Sequence, residues 1–232
     1  MIPLRDSIRS RRFPVVNVLL IAVNILVFLF EWTLSDRQLA LLFRYYGVVP
    51  LRFASMLGGP ASSGPGLTPV LTLITSQFMH GGPVHVAGNM LYLWVFGDNV
   101  EDRMGRLRYL VFYLLLGSLS GLAHVLFNVG SPIPTIGASG AVAGILGAYF
   151  ISYPRSRVVA LIPLIVFWTV TEVPAVIFLF LWFLLQLGSG VASLRAAVQV
   201  GAGVAWWAHI GGFIAGAALV NVFKGRRRWP YY

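Results

Sequence analysis

Residues 138–153 read ASGAVAGILGAYFISY. The stretch is apolar enough for a membrane helix, but short and rich in Gly and Ala. A helix that faces lipid over its whole length needs about 20 apolar residues, and fewer suffice when protein surrounds it. The reading is therefore a central helix shielded from lipid by its neighbours. Gly140, Gly144 and Gly147 follow i, i+4, i+7 spacing on one face. Small residues so spaced let two helix backbones approach closely.

The neighbours are legible on both sides. Apolar runs over roughly 14–33, 84–101, 107–127, 173–190 and 203–223 bring the number of candidate spans to six. Composition agrees: 58% of the 232 residues are hydrophobic and 10% are charged, against about 25% charged in a soluble domain. The expected fold class is an all-α polytopic membrane protein, six transmembrane helices in a compact bundle. Its organisation is a basic segment 1–13, a membrane domain 14–223 and a basic tail 224–232. The run 14–33 is too long for a secretory h-region and ends in Glu31-Trp32-Thr33, so it reads as a retained span. Pro163, Glu172 and Pro174 interrupt the apolar stretch 158–190, so 158–172 reads as an interfacial approach to one span. The connection 34–83 should be partly structured at the membrane surface, and 188–203 reads as a mobile outer loop.

Charge sets the orientation. The net charge is +10, and the basic residues sit between apolar runs, which argues against nucleic acid and for the positive-inside rule. With the N-terminus inside, thirteen Lys and Arg fall on inner segments and four (Arg37, Arg44, Arg52, Arg195) on outer ones. Both termini are then cytoplasmic. With no Cys, disulfides, thiolate metal sites and a cysteine nucleophile are excluded.

Polar side chains inside spans are costly and are functional candidates. His85, Asn89, Ser139 and His209 each lie near the start of an even-numbered span, so all fall at one shallow depth below the outer surface. Ala205, His209, Gly212 and Gly216 share a small-residue face on the sixth span, matching the glycine stripe of the fourth. Ser139 and His209 can thereby reach hydrogen-bond distance, the minimum for a base-activated nucleophile. Ser139 opens a helix, where backbone N–H groups lack intrahelical partners and can receive an oxyanion. His85 and Asn89 are i, i+4 on one face and can both donate to it. Singly each has a plainer reading: helix glue for Asn89, a packed donor for His209, a backbone-bonded hydroxyl for Ser139. His80 and His124 read as structural. A His/Asn pair with no carboxylate is a poor metal set, so neither metal nor cofactor is expected.

These residues carry a resemblance. Gly137-Ala138-Ser139-Gly140, Ala208-His209-Ile210-Gly211-Gly212 with Gly216, and His85-Val86-Ala87-Gly88-Asn89 lie on the fourth, sixth and second spans respectively. Together they resemble the rhomboid family of intramembrane serine proteases. Gln77-Phe78-Met79-His80-Gly81-Gly82 and the stretch 101–105 are similar as well. The resemblance implies a serine endopeptidase of the minimal six-span prokaryotic type in the cell membrane, its site toward the outer side, acting on transmembrane segments of other proteins. Ser139 would be the nucleophile and His209 its general base. His85, Asn89 and the Ser139 N–H would form the oxyanion hole. The alternatives are a non-catalytic relative that binds membrane segments, and a small transporter. The transporter should show midplane acidic residues or repeated half-helices, and neither is evident. Glu31 and Asp36 are the only carboxylates on the outer side, so a Ser/His dyad is expected, with Glu31 anchoring a loop.

Overall fold

The computed structural model describes residues 1–56, 67–163, 168–195 and 205–225. α1 (Val15–Trp32) leads through the outer connection to α5 (Pro83–Met104). That connection holds α2 (Asp36–Tyr46), α3 (Pro50–Met56) and α4 (Pro69–Thr75), followed by one 3₁₀ turn at Ser76–Phe78. Its described residues are partly structured, as expected. α6 (Arg106–Phe127), α7 (Ser139–Ser152), α8 (Ala175–Arg195) and α9 (Trp206–Phe223) complete the bundle. Among the described residues four helices, α1, α6, α8 and α9, are long and apolar enough to cross a membrane. The chain is a predominantly helical, multi-pass membrane protein.

α7 is the central helix. Its residues from Gly140 to Tyr149 are all buried, and it packs most extensively on α9, then on α6 and α5. The physical reason is glycine at the crossing. A Cβ on Gly212 would fall on the Gly140 carbonyl oxygen, and one on Gly216 on the Gly144 carbonyl. A Cβ on Gly147 would meet the Phe213 backbone. Two positions of the α7 glycine stripe point elsewhere: side chains at Gly140 and Gly144 would strike Ser120 and Leu116 of α6. The stripe thus serves two interfaces, because α7 is enclosed on more than one side.

The end at which α1 begins is tied by hydrogen bonds. The Glu101 carboxylate of α5 accepts from the Val16 and Asn17 amides at 3.1 and 2.7 Å. It satisfies N–H groups that the first turn of α1 leaves without partners. Asn17 also donates to the Leu93 carbonyl and accepts from the Tyr109 hydroxyl. Gly105, at φ +85°, turns the chain from α5 into α6.

The stretch 158–172, expected as an interfacial approach, forms strands in its described residues. β1 (Ile2–Asp6), β2 (Arg157–Pro163) and β3 (Trp168–Pro174) form an antiparallel sheet in the order β1-β2-β3. Val158 and Ala160 alternate to the buried face, as period-2 side-chain direction requires. The N-terminal segment is thereby paired to the connection between α7 and α8. The region 188–203 also departs from the expected loop. Residues 188–195 continue α8 as helix, and the remainder lies outside the described residues.

Candidate active site

His85, Asn89, Ser139 and His209 come from the starts of α5, α7 and α9, which gather at one end of the bundle. Ser139 is the first residue of α7, so its N–H has no intrahelical acceptor. The turn before it needs glycine. Gly137 has φ +125°, and its N–H donates to the Ser76 carbonyl at 2.9 Å. A Cβ there would lie 2.8 Å from the His85 ring at Cε1 and Nε2, and 3.5 Å from Ser139 Oγ. The His85 imidazole and the Ser139 hydroxyl thus border the same small space.

α5 carries two of these side chains, His85 and Asn89. The Gly81 amide donates to His85 Nδ1 at 3.4 Å. Nδ1 accepts there, which leaves the ring proton to Nε2, the atom beside Gly137. Asn89 is buried, and its Nδ2 has no acceptor among the described residues. A buried donor left unpaired costs stability.

His209 lies one turn into α9 and is buried. The Gly140–Gly212 crossing brings its helix against the start of α7, and Ala208 approaches Gly140. A cavity of about 20 Å³, bordered by Ser76, Gln77, Ser120, Ser139, Ala205 and Ala208, lies between these helices. That is room for about one water. His209 Nδ1 is 2.7 Å from Gln186 Oε1 on α8, and the Trp182 and Trp206 rings flank the imidazole at centroid distances of 6.1 and 6.2 Å. Gln186 was missed by sequence reasoning. Its signal was present: one amide in the otherwise apolar run 175–187.

Glu31 and His124 make hydrogen bonds to neighbouring segments. Glu31 Oε2 accepts from the His80 amide at 3.1 Å, tying the end of α1 to the turn before α5. His80 itself packs edge-on to His85 at 5.1 Å. Burial pushes its pKa down to about 3, so it is neutral. His124 Nε2 is 2.9 Å from Thr135 Oγ1 and bridges α6 to the segment before α7. Among the described residues no group of three His, Cys, Asp or Glu is placed to hold a metal.

A bundle of apolar helices with a Ser, two His and an Asn at the starts of three neighbouring helices defines a class, a multi-pass membrane protein. Comparison with known proteins gives the family. The Rhomboid domain family model matches residues 68–226, and this chain belongs to the rhomboid family. It is 34% identical over 147 residues to the rhomboid protease GluP of Bacillus subtilis (strain 168), covering 63% of this chain and 25% of that protein. It is 34% identical over 162 residues to RHOMBOID-like protein 4 of Arabidopsis thaliana, covering 69% and 35%. With the human presenilin-associated rhomboid-like protein, mitochondrial, identity is 26% over 209 residues, covering 87% and 46%. The aligned region thus spans between a quarter and just under half the length of these relatives.

Proposed function

We propose that the chain is an intramembrane serine endopeptidase that cleaves transmembrane segments of other membrane proteins. Ser139 Oγ attacks the scissile carbonyl while His209 Nε2 takes its proton. The oxyanion receives the Ser139 N–H, His85 Nε2–H and Asn89 Nδ2–H. The C–N bond then breaks, His209 returns the proton to the leaving amine, and water hydrolyses the acyl-enzyme. A substrate helix hides its carbonyls in its own hydrogen bonds, so segments with small, helix-weak residues are preferred.

The observation that supports this reading best is the orphaned Asn89 amide on the same α5 face as a His85 ring that borders, with Ser139 Oγ, the space beside Gly137. The protein sits in a cell membrane with both termini cytoplasmic and the site toward the outer face. The test is cleavage of a reporter transmembrane substrate in liposomes. Ser139→Ala and His209→Ala should abolish cleavage in folded protein, and a fluorophosphonate should label the unmodified chain but not Ser139→Ala. Near-native cleavage by Ser139→Ala would falsify the reading, whereas a folded wild-type chain that neither cleaves nor takes the label would leave the non-catalytic, segment-binding alternative.

A further inference from the structure

Residues 175–187 of α8 read AVIFLFLWFLLQL, with Gln186 as the one amide. Polar groups in lipid are costly unless satisfied within the protein. Leu184, Leu185 and Leu187 face outward at 42%, 65% and 36% exposure, while Gln186 is turned inward and buried. Its Oε1 lies 2.7 Å from His209 Nδ1, the only hydrogen bond to that ring among the described residues. Trp182, four residues earlier and on the same helix face, sets its ring against the imidazole, 6.1 Å away and inclined by 33°. α8 therefore supplies both a wall and a polar contact to the base.

An amide oxygen can only accept. Nδ1 must then carry the proton, and the lone pair is left on Nε2, the atom the serine needs. In a soluble triad a carboxylate does this, but an ionised carboxylate among apolar helices is expensive. The titratable side chains that act on His209 are His85 of α5 and His124 of α6, and among the described residues no carboxylate does. We propose that Gln186 is a positioning residue: it holds the His209 imidazole in the Nδ1–H tautomer and accepts from the imidazolium as Ser139 gives up its proton. This rests on the Ser139/His209 reading above. It makes α8 part of the catalytic geometry, so the packing of α8 on α9 sets the strength of the base.

The experiment uses the full chain in liposomes with a reporter transmembrane substrate, and compares Gln186→Leu, Gln186→Glu and Ser139→Ala. Gln186→Leu should lower kcat by about 10–100-fold, the usual cost of losing such an orienting partner, with KM within about threefold. Fluorophosphonate labelling of Ser139 should slow in parallel. Its acid limb should move to lower pH, because the imidazolium has lost an acceptor. Gln186→Glu should move that limb to higher pH by about one unit or more, because a nearby carboxylate favours the charged ring. Opposite shifts from two substitutions at one position are not produced by a packing role. If Gln186→Leu does not fold, the limb of Gln186→Glu decides. Unchanged acid limbs, or a folded Gln186→Leu with wild-type kcat, overturn the proposal alone. Cleavage persisting in Ser139→Ala overturns the reading beneath it.

Discussion

Asn89 and Glu31 separate function from stability at single positions. Asn89 Nδ2 is buried with no acceptor among the described residues. Removing an unpaired donor relieves a desolvation cost, whereas losing one oxyanion donor costs about 100–1000-fold in turnover. Asn89→Ala should therefore cut kcat by that factor while the melting temperature in detergent stays within a few degrees. A mutant that melts far lower would assign Asn89 to packing. Glu31 gives the converse. One oxygen of its carboxylate accepts from the His80 amide and no hydrogen bond joins it to His209 among the described residues, so Glu31→Gln should keep cleavage within about tenfold, against about 10⁴ for a true triad acid. A thousandfold loss in folded protein would make Glu31 the third catalytic member.

At the scale of elements, the α7–α9 crossing and the docked N-terminal strand carry the consequences. Gly216 abuts the Gly144 carbonyl so closely that any Cβ there must displace backbone. Overpacking of this kind costs about 1–3 kcal/mol, so Gly216→Ala should lower the melting temperature and cleavage together. Gly188, helical with nothing within 4 Å of its Cβ position, is the control. Gly188→Ala should be neutral or gain about 0.4–1 kcal/mol from the less flexible unfolded chain. Equal melting of both variants would show that the crossing is looser than described.

The strand contributes a pH dependence. Asp6 of β1 accepts from the Tyr149 hydroxyl at 2.5 Å and the Asn99 amide at 2.8 Å, with Asp98 nearby, and burial raises its pKa to about 7. An unfolded Asp titrates near about 3.9. Between those values the folded state binds more protons than the unfolded one, so stability falls as pH rises. The contribution is full below about pH 4 and lost above about pH 7. Melting curves from pH 4 to 8 should show this decline, and Asp6→Asn should flatten it. A wild-type curve that rises through this window would contradict the buried, protonated carboxyl.

For the whole molecule the question is orientation. The chain has no Cys, so a single introduced thiol is unambiguous. Gly130 lies between α6 and α7, with open space at its Cβ position, and exposed Arg155 lies just beyond the far end of α7. An impermeant maleimide on intact cells should label Gly130→Cys and spare Arg155→Cys until the membrane is opened. The reverse pattern would invert the thirteen-to-four distribution of basic residues as a guide to topology.

What could be read from the sequence alone was what depends on one helix at a time. Apolar length located the helices: the 107–127 run is α6 at Arg106–Phe127, and 138–153 is α7 at Ser139–Ser152. Alternation of direction put His85, Asn89, Ser139 and His209 at one end, and glycine spacing allowed α7 and α9 a close approach, which the structure shows. Hydropathy cannot separate a buried strand from a membrane-bound apolar segment, so the β2–β3 hairpin and its pairing with β1 stayed hidden. Nor does spacing along one helix give its rotation against another. The tertiary structure decided that Gly140 and Gly144 face α6 as well as α9. It also decided that α8 turns Gln186 inward, to within 2.7 Å of His209. The partner of that imidazole is 23 residues away in sequence, and only the packing of two helices brings the pair together.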